Sequence, residues 1–318
     1  GYEYSDIHNL TRSVLAREVV SQVGAERPAG EQRDETYLYQ GAGPHQATAI
    51  GSLQLAYDKN GNTVDECEGA TCIPGQSQHF TWNEENWLSE ANKAGKVVRF
   101  LYDADGQRVA KLSPGGPSVT VGQWWAVKGN SHASKHVFMG TGRIATKVLP
   151  PALGNQLPPC GGGNSVGSGW PNTNGCVPSD NQPQKCPMAG GGVFGGHLPN
   201  AVVRPATYYY HPDHLGSTQW LTDDAGKVHE RVEYFPYGEV WREASAKSGA
   251  GKLRQALLYT GKEFDEETGL TYFGARYYDS RRARWLTVDP ALKGNSQMWP
   301  LQLSPYAYSH QNPTSFKD

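Results

Sequence analysis

No run of about 18 apolar residues occurs in this chain of 318 residues, so no segment reads as a membrane-spanning helix. Charge of one sign is also lacking. The 29 Lys and Arg nearly balance the 31 Asp and Glu, and a formal charge of -2 gives no field to attract nucleic acid. Local clusters such as Arg281-Arg282-Ala283-Arg284 read as solvated charge. Cysteine is sparse and odd in number, with Cys67, Cys72, Cys160, Cys176 and Cys186. No Cys-x-x-Cys spacing occurs, which argues against a zinc ribbon. All five lie in loop-like sequence, as disulfides of an exported protein would, and Cys67 and Cys72 bracket a short loop. No Gly-x-Ser-x-Gly elbow is present, and the glycine runs at 161–163 and 190–192 do not lead into Lys-Ser or Lys-Thr. Serine-hydrolase and phosphate-loop chemistry are therefore unsupported, and no cofactor is expected. The chain opens at Gly1-Tyr2-Glu3 without initiator Met or signal peptide and stops at Asp318 in mid-motif, so it reads as a piece of something longer.

What is abundant is glycine (38), tyrosine (17) and tryptophan (9), a composition of turns and strands. One amphipathic pattern, Leu10 to Gln22 with Leu10, Val14, Leu15 and Val19 on one face, predicts a helix. Elsewhere a turn signature recurs, with Asp or Asn followed three residues later by Gly: Asp58–Gly61, Asn92–Gly95, Asp103–Gly106 and Asp223–Gly226. The carboxylate or amide bonds its own following backbone and the glycine supplies positive φ, so each predicts a hairpin tip. Tyr57-Asp58 and Tyr102-Asp103 repeat the same pair ahead of the turn. A single hairpin cannot bury its apolar face, so neighbours stacked along the chain must supply the core.

From Leu149 to Pro205 periodicity gives way to Pro and Gly, which predicts an irregular insertion outside the sheet, holding Cys160, Cys176 and Cys186. Alternation then resumes. Thr218–Thr222 and Val228–Tyr234 read as a hairpin around Asp223–Gly226. Leu257–Thr260 and Leu270–Tyr278 read as further strands around a turn at Glu266–Gly269. The expected fold is all-β: antiparallel hairpins in a spiral sheet or shell, with one long irregular insertion.

Tyr208-Tyr209-Tyr210-His211-Pro212-Asp213-His214-Leu215-Gly216, then Arg276-Tyr277-Tyr278-Asp279, Asp289-Pro290 and Tyr306-Ala307-Tyr308 through Asn312-Pro313, occur in that order. Together they resemble the core domain that closes bacterial Rhs and YD-repeat proteins, including polymorphic toxins and the C-component shells of Tc toxins. One departure is that the family's Asp-Pro-x-x-Gly-Arg-Phe is Asp279-Ser280-Arg281-Arg282-Ala283-Arg284-Trp285 here. The resemblance implies three parts: a YD-repeat shell segment at 1–148, the insertion at 149–205 and the Rhs-associated core at 206–318. It further implies an aspartyl autoprotease that acts only on its own chain, with Asp289 and Asp318 as the dyad and Arg276 as their electrostatic partner. Two carboxylates about 3 Å apart share one proton, so one activates water while the other polarises the peptide carbonyl. The implied partners are a C-terminal toxin domain of the same polypeptide, the upstream YD-repeat shell, and secretion machinery or a B-type shell. The implied location is outside the bacterial cell or on its surface. Two readings stand beside this one: a non-catalytic structural or adhesive YD-repeat module of a cell-surface protein, and an aromatic-rich carbohydrate binder. His211 and His214 flank Asp213, but a metal site needs a third ligand; the residues read instead as hydrogen-bonding groups that pin a turn.

Overall fold

The computed structural model of the chain describes residues 1–6, 8–15, 33–41, 43–69, 77–129, 132–140, 142–149, 206–245, 257–290 and 304–317. The insertion expected at 149–205 lies outside the described residues except for Leu149, as do Cys72, Cys160, Cys176, Cys186 and Asp318.

Among the described residues, eighteen strands form one antiparallel sheet. They begin with β1 (Tyr2–Tyr4), β2 (Leu10–Leu15), β3 (Arg33–Leu38), β4 (Ala49–Ile50), β5 (Leu53–Tyr57) and β6 (Thr63–Glu68). Next come β7 (Gln78–Trp82), β8 (Leu88–Lys93), β9 (Lys96–Tyr102), β10 (Arg108–Ser113), β11 (Gly116–Val121) and β12 (Trp125–Lys128). The last six are β13 (His132–Met139), β14 (Gly142–Leu149), β15 (Ala206–Pro212), β16 (Thr218–Thr222), β17 (Val228–Tyr234) and β18 (Val240–Ser245). Each strand pairs with its successor, as in β1 with β2, β9 with β10 and β17 with β18. The pairing of β14 with β15 carries the ladder across the long insertion. Of the helix expected over Leu10 to Gln22, residues 16–22 lie outside the described residues and the rest is not helical. Residues 10–15 are strand β2, and Leu10, Ser13 and Leu15 are its buried positions. Pairing with β1 and β3 satisfies its backbone and overrides the short helical period.

The turn signature works through one repeated geometry. Asp103 Oδ1 accepts the backbone N–H of Asp105 (3.0 Å) and Gln107 (2.8 Å), Asp103 N–H reaches Gln107 O, and Gly106 N–H returns to Asp103 O. Asp58, Asp213 and Asp223 make the same set of bonds in their own turns. Asn83 caps a fifth such turn, with Asn86 at φ 65° in the glycine position. The Asn92 copy differs: β8 and β9 join through Ala94 and Gly95 alone, both at positive φ, and Asn92 ends up inside β8.

A register shift stands beside these turns, at Ala56/Tyr57, Thr81/Trp82, Arg108/Ala110, His211/Pro212 and Leu221/Thr222. Such bulges raise local twist and bend the strip. They also turn the aromatic before the Asx residue towards its neighbour. Trp82 Nε1 donates to Thr63 O (2.7 Å) and Tyr102 OH to Leu88 O (2.7 Å); Tyr234, which precedes Phe235 instead, donates from its OH to Thr218 O (2.8 Å) in the same way. Each of these acceptors opens the preceding strand, so the aromatic before the turn ties neighbouring strands along one edge, whereas Tyr57 of the other Tyr-Asp pair bonds Ala47 O (2.9 Å). Replacing Asp103 with Ala removes the acceptor for two backbone donors. It is expected to lower stability by about 1–2 kcal/mol in urea unfolding.

A four-stranded sheet lies against the buried face of the long one: β19 (Glu263–Asp265), β20 (Leu270–Tyr272), β21 (Tyr277–Asp279) and β22 (Arg284–Trp285). The expected Glu266–Gly269 turn joins β19 to β20. The expected strand at Leu257–Thr260 is only a bridge at Leu257 followed by a 3₁₀ turn at Tyr259–Gly261, and Leu270–Tyr278 is broken between Tyr272 and Tyr277. Leu270, Tyr277 and Leu286 pack on Phe80, Leu88, Val98 and Phe100. Tyr278, Trp285 and Tyr308 pack on Tyr37, Ile50, Leu53, Tyr237 and Tyr259. The two ends of the long strip meet over this sheet. The rings of Tyr2 and Tyr237 are 4.8 Å apart edge to face, Tyr4 OH lies 2.6 Å from Tyr237 OH, and Arg33 pairs with Glu239. Gly238 sits at φ +88°, and a Cβ there would lie 2.3 Å from Tyr259 Cδ1, so only glycine fits that turn.

Between β13 and β15 the sheet buries a polar chain. His136 lies between Ser134 Oγ (3.3 Å from Nε2) and Thr146 Oγ1 (3.0 Å from Nδ1), and Thr146 leads on to Tyr210 OH at 3.2 Å. Burial first, then Arg143 and Lys128, push its pKa down to about 3, while Glu263 opposes the shift. Its folded pKa lies below the 6.5 of the free imidazole, so its stabilising contribution is full above pH 6.5. That contribution is lost as pH falls from 6.5 towards 3, where only the unfolded state takes up the proton. His132 is depressed by burial and Lys128 in the same sense. Urea midpoints should therefore decline with acidification, less steeply in His136→Asn than in the parent.

Candidate functional site

The site suggested by resemblance is built on the small sheet. Phe273 N–H closes a turn onto Arg276 O (3.0 Å), with Gly274 at φ 94°, and delivers Arg276 to the start of β21. The Arg276 guanidinium lies 4.0 Å from the centroid of the Trp285 ring on β22. Leu286, fully buried, is held on two sides: its N–H donates to Tyr277 O, and its carbonyl accepts the N–H (2.8 Å) and hydroxyl (2.9 Å) of Thr63. The chain then turns outward through Val288, and Asp289 Oδ2 comes 3.2 Å from Arg276 Nη1. The arginine side chain is 9% exposed and the aspartate 30%. The arrangement holds a carboxylate at the edge of a buried aromatic wall against a guanidinium stacked on an indole. Such a group can orient water or take a proton. Arg276 and Asp289 thus stand together, while Asp318 lies outside the described residues.

The turn between β21 and β22 departs from the family's spelling but stays tight. Ala283 takes φ 52° where the family has glycine, and Asp279 accepts from Arg282 N–H (3.2 Å) and Arg282 Nη1 (2.8 Å). Behind it lies a buried charge cluster that the residue order did not suggest. Glu66 on β6 faces Arg284 at 3.6 Å and Arg282 at 3.7 Å. Burial pushes Asp279 up, but Arg282 and Arg284 outweigh it and hold the carboxyl below its usual range. For Glu66 burial wins, and its carboxyl is raised despite the same arginines.

A second network ties β10 to β19. Arg108 meets Asp265 at 2.5 Å and Glu263 at 2.9 Å, and Lys111 meets Asp265 and Glu267 at 2.9 Å each. Arg108 also lies 4.4 Å over the Tyr272 ring. Burial works against the charge on Lys111, yet Asp265 and Glu267 raise its pKa above the usual value. No local spacing could announce this network, since its halves are more than a hundred residues apart.

His211 and His214 bond to different partners, Thr222 Oγ1 and Thr314 O, each at 2.9 Å. The residue that pins their turn is Asp213. Among the described residues, no group of three metal-binding side chains occurs. Cys67 is disulfide-bonded, and the other cysteines lie outside the described residues. No helix among the described residues is long and apolar enough to cross a membrane.

The hairpin strip, its Tyr-Asp turns and the aromatic sheet beneath it form a YD-repeat shell domain similar to those of Rhs proteins and Tc toxins. Residues 195–314 match the Teneurin YD-shell family. The tRNA3(Ser)-specific nuclease WapA of Bacillus spizizenii is 24% identical over 273 residues, 85% of this chain and 9% of that protein. Toxin subunit YenC1 of Yersinia entomophaga is 38% identical over 95 residues, 29% of this chain and 9% of that one. The crystal structure of TcdB2-TccC3 superposes over the whole chain with a TM-score of 0.54 at 17% identity, using 15% of its own length, and shows the shared fold. The chain spans about a tenth of the length of these curated relatives.

Proposed function

We propose that this chain is the closing segment of an exported bacterial toxin shell, with shell strands at 1–148, an insertion at 149–205 and a self-cleaving core at 206–318. In this reading the shell encloses a C-terminal toxin of the same polypeptide. Asp289 and Asp318, assisted by Arg276, cut the chain to leave that toxin free inside. The observation that carries it is the Arg276–Asp289 pair at 3.2 Å, braced by Trp285. A stacked guanidinium keeps its charge fixed in position, so it can orient one carboxylate as the base while a second carboxyl group polarises the scissile carbonyl. The names of the relatives, one a nuclease and the other a toxin subunit, support the setting. Intact-mass measurement of a chain extended beyond Asp318 tests it. A single cut a short way past Asp318 is expected. An uncut, folded product would instead make the chain a structural YD-shell module without protease activity.

A further inference from the structure

Between Asp105 and Asp180 the chain carries six lysines and arginines and no other acidic residue. Strands β10 to β16 therefore contain no Asp or Glu. Four of the six cations are answered from the small sheet. Asp265, Glu263 and Glu267 pair with Arg108 and Lys111, and the charge of Glu263 also reaches Lys128 and Arg143. The remaining two, Lys135 and Lys147, stand exposed on the opposite face of the long sheet.

That face is otherwise apolar. On β13 the buried positions are Ser134 and His136, so Lys135, Val137 and Met139 point the other way. Lys135 stands directly opposite Lys147 on β14 and opposite Trp125 on β12. Val121 continues the same row on β11, and Val119 pairs with Val127 beside it. Val137 leads through Ala145 to Tyr209 on β15. The field spans five strands, about 20 Å. Within it Val121 is 63% and Met139 74% exposed, and the Trp125 ring lies 5.6 Å from Lys135 Nζ. A continuous apolar area of this kind marks an interaction site. Two like charges directly opposite each other are unfavourable until an anion comes between them.

The occupant must bring negative charge together with a broad apolar surface. A second copy of this face brings no carboxylate, so it would set lysine against valine or against lysine. Every strand from β11 to β15 is paired on both sides, which leaves no edge for an extended acidic peptide to join. Trp125 and Tyr209 have apolar bodies with polar tips, and the two lysines have long alkyl stems. That combination suits the headgroup layer of a bilayer. Anionic headgroups would separate the two ammonium groups, while the valines and Met139 rest on the acyl boundary.

We propose that the face of β11 to β15 turned away from the small sheet docks on an anionic lipid bilayer. Co-sedimentation of the full chain tests this, with vesicles of phosphatidylcholine alone or mixed equally with phosphatidylglycerol. The mixed vesicles should bind at least about tenfold more tightly than the neutral ones. Lys135→Ala with Lys147→Ala should weaken that binding about thirtyfold, roughly a factor of five for each lysine at the surface. Lys59→Ala with Lys96→Ala makes an equal change of net charge at exposed positions in two turns, and should weaken it less than about threefold. Trp125→Ser should weaken it about tenfold. Near-ultraviolet dichroism checks that each variant keeps the parent fold, and the lysine pair decides the matter if Trp125→Ser does not. The proposal is overturned if the mixed vesicles do not bind, if neutral vesicles bind as tightly, or if the two lysine pairs matter equally. Tighter binding of poly-L-glutamate than of vesicles would assign the face to an acidic protein instead. A dimer in solution that Trp125→Ser dissolves would assign it to a second copy, and either result overturns the proposal.

Discussion

A chain extended past Asp318 should remain whole when Asp289 is replaced by asparagine, while its circular dichroism matches that of the parent. Asparagine keeps the shape and the contact to Arg276 but cannot accept a proton as a carboxylate does. Loss of a positioned base slows a reaction by about 10²–10⁴-fold, which would turn rapid self-cleavage into a reaction scarcely visible over days. Asp318→Asn should have the same effect. Arg276→Ala should slow cleavage less completely, because it removes the group that holds Asp289 at 3.2 Å rather than the base itself. Trp285→Phe should retain most activity, since a phenyl ring still offers a face to the guanidinium, 4.0 Å from the indole in the parent. Normal cleavage of the Asp289→Asn chain would reduce that residue to a structural ion-pair partner.

The largest effect on stability is expected at Asp265. Its side chain is fully buried between Arg108 and Lys111, at 2.5 and 2.9 Å. Asp265→Ala would leave Arg108 and Lys111 with only the partly exposed Glu263 and Glu267 as partners, and removing the fully buried partner of such a network costs about 3–5 kcal/mol. The Glu90–Arg99 pair, 2.9 Å long with the arginine side chain 64% exposed, makes the comparison. Breaking it with Glu90→Ala should cost less than about 1 kcal/mol. Urea unfolding of the two variants measures both, and equal losses would show that the buried network does not clamp β19 to β10.

What was legible in the residues was local. Asp103 and Gly106 stand close in sequence, and the bonds they make are among neighbours, so the hairpin tips could be read directly. The reason for the tyrosine before each aspartate could not, because Tyr102 bonds a carbonyl at the start of the previous strand. Leu10 to Leu15 misled for a related reason. Its apolar spacing is compatible with a short helix, and only pairing on both sides decides for a strand. The pairing of Arg276 with Asp289 came from family resemblance, since residues this far apart carry no spacing signal of their own. The charge networks around Glu66 and Asp265 needed the folded sheet to bring their halves together.

The division between strip and inner sheet also has a consequence in time. Every pairing within the strip joins successive strands, so most of those ladders close short loops and can form as synthesis proceeds. The apolar face of β5 to β10 is different. It is covered by Leu270, Tyr277, Trp285, Leu286 and Tyr308, residues made some two hundred positions later. Until they emerge from the ribosome, the early hairpins hold their shape with an open flank, and the last-made part of the domain seals the first. A truncation that spares every strand of the strip but removes Tyr308 should therefore yield hairpins that bind chaperones and hydrophobic dyes.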